Sequence, residues 1–397
     1  MDLTRRIHQI KPSPTLSLDT KTKALKASGV DVVNFGVGEP DFNTPAHIKT
    51  AGIKAIEDNF TRYTPAGGIP ELKEAIAAKF ERDNQLSYDP DQIVVSCGGK
   101  HTLYNLAQVL FTEGDEVIIP APYWVSYPPI VLLAGARPVI VQTQESNDFK
   151  ITPDELQDAI TPSTKAMILN SPSNPTGAVY TREELTALGE VVLRHGLLII
   201  SDDIYEKFIY EDAGFINMAM LAPELKERTM IAHGLAKTYA MTGWRIGFLA
   251  GPKEVAAAVT KLQGQSTSNP CSIAQKAGVG ALNGPQESVR EMWTAYDQRR
   301  RYLVEALNGI DGVDCFNPKG AFYAFPNISS YFGRSGQGWT IQDSDDLAAY
   351  LLEDARVALV PGSGFGQNDC VRFSYAISLE DSQKGVSRIK ESLAKLG

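Results

Sequence analysis

The chain has 397 residues, enough for two domains or for one large α/β domain with a smaller companion. With 43% hydrophobic and 21% charged residues it has the balance of an ordinary globular protein, which excludes a disordered chain. Lys+Arg 38 against Asp+Glu 47 gives a net charge of -9, which argues against nucleic acid as a main partner but leaves room for a local basic pocket that holds a small anion.

The first stretch, MDLTRRIHQIKPSP, has no apolar core that could act as a signal peptide. From about Thr44 helical and β-rich segments alternate. PELKEAIAAKF, from Pro70, places Leu72, Ile76 and Phe80 at helical spacing, with proline suited to the first turn. Short apolar runs follow that read as buried parallel strands: IVVS at 93, EVIIP at 116, AMILN at 166, LLIIS at 197, TMIAHG at 229 and RIGFLAG at 245. The longest uncharged run, Val117 to Ala136, contains Pro120, Pro122, Pro128 and Pro129, which would interrupt a membrane-spanning helix. It therefore reads as strand, loop and helix start, and no membrane association is expected. TREELTALGEVVLRHG opens on a Thr–x–x–Glu capping box at Thr181 and Glu184 and ends near Gly196. Buried strands alternating with helices imply an α/β fold, a mostly parallel sheet covered on both faces to give three layers.

After about Pro285 the character changes to a long charged helix, EMWTAYDQRRRYLVEAL, and short strands around GAFYAFP, VALVP and VRFSYA. This predicts a smaller α+β domain at 291–397, a large domain at 44–290, and an N-terminal segment, 1–43, that joins the small domain. The cysteines Cys97, Cys271, Cys315 and Cys370 are far apart, with no CxxC pair, and read as reduced thiols of a cytoplasmic protein. His8, His47, His195 and His233 lack metal-ligand spacing and read as surface or loop residues. The run Arg299-Arg300-Arg301 reads as a solvated helix face, and Trp244 as core packing.

Ligands of open parallel sheets bind beyond the carboxyl ends of the strands, so the polar residues after each apolar run matter. IVVS is followed by Cys97, Gly98, Gly99 and Lys100 at a helix start, where free N–H groups can hold a phosphate, although a plain tight turn gives the same pattern. The nucleotide P-loop does not fit, because its first glycine is missing and His101 follows the lysine. AMILN runs into the polar loop from Asn170 through Asn174 to Gly177. LLIIS ends at Asp202, Asp203, Ile204 and Tyr205, and a buried aspartate there is costly unless a cation meets it. TMIAHG is followed by Lys237, with Arg245 a short way on.

The segment Gly234-Leu-Ala-Lys237-Thr-Tyr-Ala-Met-Thr-Gly-Trp-Arg245-Ile-Gly247 resembles the cofactor attachment site of the class I aminotransferases, enzymes of fold type I that use pyridoxal phosphate. NSPSNPTG, the Asp202–Tyr205 pair and VRFSYA are similar to that family's other landmarks, in the same order, and the resemblance spans essentially the whole chain. It implies that Lys237 carries the cofactor, that Asp202 pairs with the ring nitrogen, and that Asn174 and Tyr205 bond the phenolic oxygen. It implies further that Arg245 grips the phosphate with the backbone at Gly98, Gly99 and Lys100, and that Trp124 lies on the ring face. Tyr63 would reach the phosphate of a neighbouring subunit, which implies a homodimer with shared sites. Arg372 would hold the substrate α-carboxylate as a bidentate fork, with Gly38 against the same group. Freed Lys237 would then move the Cα proton, and an amino acid and a 2-oxo acid would react in ping-pong order.

One branch of the aspartate aminotransferases binds the distal carboxylate with a partner arginine before an SNP-like turn. Here that stretch, Leu262 to Pro270, has no arginine. The chain instead resembles the beta branch, in which a lysine after the double glycine does this, implying Lys100 with Ser13 and Thr15 as helpers. Lys11 matches a lysine linked in some members to prephenate. The resemblance therefore implies transfer from L-aspartate to 2-oxoglutarate, with prephenate, aromatic or alanine transamination, or a lyase on the same fold, as alternatives. Gly234 and Ala236 depart from the serines many relatives carry, which would thin the phosphate cup. A nicotinamide dehydrogenase is disfavoured because the cluster Gly362, Gly364 and Gly366 runs into a strand and not a helix. A regulator's sensor domain on this fold is expected to carry a helix-turn-helix extension before Met1, and none is seen.

Overall fold

The computed structural model describes residues 2–397, with the side chain of Arg5 left aside. Seven strands form the central sheet: β1 (Ile93–Ser96), β2 (Glu116–Ala121), β3 (Arg137–Gln142), β4 (Thr164–Asn170), β5 (Leu198–Asp202), β6 (Thr229–Gly234) and β7 (Gly247–Ala250). Their order across the sheet is β1-β7-β6-β5-β4-β2-β3. Successive residues of a strand point to opposite faces, and the core divides accordingly. Val95, Ile231 and Phe248 pack with Leu72, Ile76 and Phe80 of the helix Pro70–Asn84. Their chain neighbours Val94, Met230 and Leu249 pack on the other face with Leu103 and Leu106 of the helix Gly99–Leu110. Helices thus cover both faces, as the apolar runs require.

One expected strand differs. RIGFLAG was expected to run parallel with the others, but β7 is antiparallel to both β6 and β1. A parallel return needs a crossover, usually a helix, and residues 235–246 contain only the short 3-10 turn Thr242–Trp244. β3 was not foreseen. It is the edge strand, half-exposed, and lacks a fully buried apolar run.

The capping box is present: Glu184 N–H donates to Thr181 Oγ1 at 3.2 Å and Thr181 N–H to Glu184 Oε2 at 2.8 Å. A cap of this kind contributes about 1 kcal/mol. Val117–Ala136 divides into β2, a loop and the helix Tyr127–Leu133. Among the described residues no helix is long and apolar enough to cross a membrane.

The strands Val360–Pro361, Val371–Ser374 and Tyr323–Ala324 form an antiparallel three-stranded sheet, while Val33–Asn34 pairs in parallel with Val357–Ala358. These elements share one apolar cluster with the inner face of the helix Glu287–Asn308. That helix corrects the arginine reading. Met292, Tyr296, Arg300, Leu303 and Leu307 form its buried stripe at helical spacing, so Arg300 is 1% exposed and bonds Asp297, Asn317 and Glu211. Only Arg301 is solvated, for Arg299 reaches Asp41 at 2.8 Å. His233 is corrected too. It lies on β6, covered on both faces, stacked on Phe248 with its Nε2 3.4 Å from Glu206. All four cysteines are free thiols.

Candidate active site

The carboxyl ends of β1, β2, β4, β5 and β6 meet at one edge of the sheet. Because β7 runs the other way, its amino end brings Arg245 to that same edge. A cavity of about 430 Å³ opens there. Each strand end contributes: Gly99 and Lys100 after β1, Trp124 after β2, Asn174 after β4, Asp202 and Tyr205 at β5, and Lys237 after β6. Thr15 and Gly38 enter from the N-terminal segment and Arg372 from Val371–Ser374. The structure therefore brings together most of the residues singled out from the sequence. Gly98, Ser13 and Tyr63 do not line the cavity. Gly98 caps the helix that begins at Gly99, Ser13 shares a hydroxyl bond of 2.9 Å with Thr15, and Tyr63 is 90% exposed at the surface. Lys11 is exposed and also lies outside the lining.

Gly98 is needed for close approach. Its φ is +92°, and a β-carbon there would fall 2.3 Å from Arg245 Nη2. The guanidinium can lie against this turn because the side chain is missing. Arg245 Nη1 donates to the Thr242 carbonyl at 2.9 Å.

Lys237 is half-buried, and its ammonium donates to the carbonyl of Gly38. Burial brings its pKa down to about 8; the charges of Glu39 and Asp202 resist this, and those of Arg372 and Arg245 add to it. The amine therefore gives up its proton at a pH well below that of an ordinary lysine. Asp202 is buried, and burial raises its pKa to about 6. Against burial work the Tyr127 hydroxyl, which donates to Oδ2 at 2.7 Å, the N–H of Ile204 and the charge of Lys237. Asn170 ties the loops together, donating to the Asp202 carbonyl at 2.8 Å and accepting from the Asn174 N–H at 2.8 Å.

Arg372 is fully enclosed. Nη1 donates to Asn174 Oδ1 and Nη2 to the Gly36 carbonyl, both at 2.9 Å, while Nε has no partner. The guanidinium stands 4.5 Å from the ring centre of Tyr323 and 5.0 Å from that of Phe365. Burial lowers its pKa. Lys100 is exposed and lies 4.9 Å from the Trp124 ring centre; partial loss of solvent around its ammonium, aided by the charge of Arg245, lowers its pKa.

Among the described residues, none of the cavity's four cations, Lys100, Lys237, Arg245 and Arg372, has a carboxylate within 4.0 Å. Two of the cavity acids are bonded elsewhere, Asp19 to Lys23 and Glu39 to Thr242. Only Arg372 of the four is buried, where a cation without a partner is costly; with Lys237 half-buried and Lys100 and Arg245 open to solvent, the four unpaired positive charges around one cavity attract anions. Sequence reasoning missed Tyr127, Tyr323, Asn170 and Glu39. The faint signal for Tyr127 was its place one helical turn after Trp124 in the loop beyond β2. Tyr323 gave none, because its strand is two residues long.

Residues 30–389 match the family described as aminotransferase class I and II. An aspartate aminotransferase of Geobacillus stearothermophilus is 54% identical over 389 residues, 98% of each chain. An aspartate/prephenate aminotransferase of Nitrosomonas europaea is 48% identical over 99% of this chain and 100% of its own. The crystal structure of the aspartate aminotransferase from Rhizobium meliloti superposes with a TM-score of 0.96, at 44% identity and full coverage of both chains.

Proposed function

The chain belongs to the class I and II aminotransferases, and on that premise we propose that it moves the amino group of L-aspartate to 2-oxoglutarate, giving oxaloacetate and L-glutamate, with pyridoxal 5′-phosphate held on Lys237. The observation that carries this reading is the set of four cations without acid partners around one buried, counterion-free carboxylate. A ligand with a phosphate, an aldehyde and a basic ring nitrogen answers three of these groups. A dicarboxylate answers the rest.

Bound, this cofactor supplies an aldehyde for reversible carbon–nitrogen bonding and a protonated ring that takes up the electron pair left at the substrate Cα. Asp202 holds the proton on the ring nitrogen; the cost of its burial without a cation is relieved there. Tyr205 and the amide of Asn174 donate to the phenolic oxygen. Trp124 covers the ring, and Arg245 with the N–H groups after Gly98 holds the phosphate. Arg372 takes the α-carboxylate with the partnerless Nε–H and its remaining donors, next to Gly38. Lys100, helped by Thr15 and Ser13, takes the distal carboxylate. The Lys237 amine, with a pKa brought down to about 8, accepts the Cα proton and returns it on the other side of the transfer.

The aspartate/prephenate name of the Nitrosomonas relative favours prephenate as a second oxo acid for this site. The exposed Tyr63, at 90%, and Ile53 and Ile56, at 55% and 54%, support a homodimer in which Tyr63 serves the partner's site. We also place the protein in the cytoplasm. We divide it into an N-terminal segment 1–43 that joins a small domain 291–397, and a large domain 44–290; one apolar cluster supports that division by packing Val33 and Phe35 with residues after 291, and of the large domain its buried residues include only Tyr205, Phe208 and Tyr210. The test is reconstitution with pyridoxal phosphate. The wild-type protein is expected to gain a visible band and turn over aspartate with 2-oxoglutarate, and Lys237→Ala to lose the lysine-bound band and nearly all turnover. A Lys237→Ala protein with normal activity overturns the assignment.

A further inference from the structure

Tyr323 carries a polar group inside the cavity to which the mechanism above gives no task. It is buried on the strand Tyr323–Ala324 and lines the cavity. Its hydroxyl oxygen is 2.8 Å from that of Tyr205. Its ring faces the Arg372 guanidinium at 4.5 Å, and a β-carbon on Gly38 would fall 2.9 Å from its Oη. One side chain thus touches three residues that face the ligand.

A phenol hydroxyl has one hydrogen to give and lone pairs to accept with. In a pair of such groups only one can donate to the other. The cation against the Tyr323 ring draws electron density from it and makes its O–H the stronger donor. Tyr205 then accepts with a lone pair and keeps its own hydrogen for the cavity.

We propose that Tyr323 is a positioning residue that fixes the direction of the Tyr205 hydroxyl, so that Tyr205 donates to the oxygen of the ligand in front of it. The same side chain links that donor to the anion-binding Arg372. This rests on the reading of Tyr205 as partner of the cofactor's phenolic oxygen. A hydrogen bond donated to that oxygen favours the more negative state of the lysine-bound chromophore, and so lowers the pH at which its proton leaves. Without the Tyr323 hydroxyl, Tyr205 can turn away, the bond weakens and the midpoint rises.

The test is a pH titration of the visible band of the reconstituted holoenzyme. Tyr323→Phe is expected to raise the midpoint by about 0.5 to 1 pH unit, the effect of one neutral hydrogen bond. Its KM for aspartate is expected to stay within about twofold, because the ring still supports Arg372. Tyr323→Leu, a second way to remove the hydroxyl, is expected to give the same midpoint shift with a raised KM. Tyr205→Phe is expected to shift the midpoint at least as far, and the Tyr205→Phe/Tyr323→Phe double variant no further than Tyr205→Phe alone. The Tyr205 variant tests the underlying reading, and the Tyr323 variants test the link. Wild-type midpoints in both Tyr323 variants beside a shifted Tyr205→Phe overturn the inference while the reading stands. Additive shifts in the double variant overturn it too. A Tyr205→Phe midpoint equal to that of the wild type overturns the reading and the inference together.

Discussion

Asparagine in place of Asp202 is expected to make the cofactor-free protein more stable at alkaline pH while removing most of its activity. The side chain is buried and no cation reaches it among the described residues; the Tyr127 hydroxyl at 2.7 Å is its one strong bond. Asparagine has the same shape and an oxygen to accept that bond. Burial raises the carboxyl from an ordinary 3.8 to about 6 in the folded protein. A group whose folded pKa is raised contributes stability that is fully present below its unfolded pKa and is lost as pH rises through the folded one. For wild type the loss therefore falls between about pH 4 and pH 6 and is complete by about pH 8. At about 1.4 kcal/mol per pH unit it comes to about 3 kcal/mol. Asparagine does not titrate, so the stability difference between variant and wild type should grow by about that amount from pH 4 to pH 8. Urea unfolding of both proteins without cofactor, at several pH values, measures it. A difference that stays flat with pH, or a variant less stable than wild type at pH 8, refutes the argument that Asp202 is held as an unpaired acid awaiting a cationic partner.

Arg372→Lys keeps the charge but not the planar set of donors that now serves Asn174 and Gly36, and should raise KM for aspartate about 100-fold; a change under threefold in steady-state kinetics would show that the α-carboxylate binds elsewhere. Lys100→Met should raise KM for aspartate about 10-fold or more and leave alanine, which has no distal carboxylate, unaffected. Equal losses for both amino acids would assign Lys100 to the phosphate alone. Gly98→Ala forces a β-carbon within 2.3 Å of Arg245 Nη2 at a φ of +92°, and should weaken pyridoxal phosphate binding about 10-fold in a reconstitution titration. Unchanged affinity would mean that Arg245 does not need its present seat.

Much of the large sheet was legible because buried strands are short apolar runs and their carboxyl ends collect the polar residues of the site. Direction was not legible. A strand covered on both faces looks alike running either way, so the antiparallel course of β7 follows from the short connection before it and not from its composition. That course also explains how Arg245, at the amino end of a strand, reaches residues at the carboxyl ends of the others. β3 escaped notice because an edge strand needs no unbroken apolar run. Arg300 was misread because the run of three arginines was weighed as a charge cluster, although position 300 falls on the helix's buried stripe. Tyr127 and Tyr323 were missed for a related reason. An aromatic residue in an apolar stretch reads as core, and only the folded chain shows that its hydroxyl meets Asp202 or Tyr205.

The central claim is that the cavity takes an acidic amino acid and passes its amino group on through a cofactor on Lys237. Mixing the reconstituted protein with single amino acids, with no oxo acid present, and following the visible band isolates that first half of the reaction. Aspartate and glutamate should discharge the lysine-bound band rapidly, with arogenate as the arm that reports on prephenate and Lys237→Ala as the silent control. Faster conversion by alanine or tyrosine than by aspartate would contradict the account.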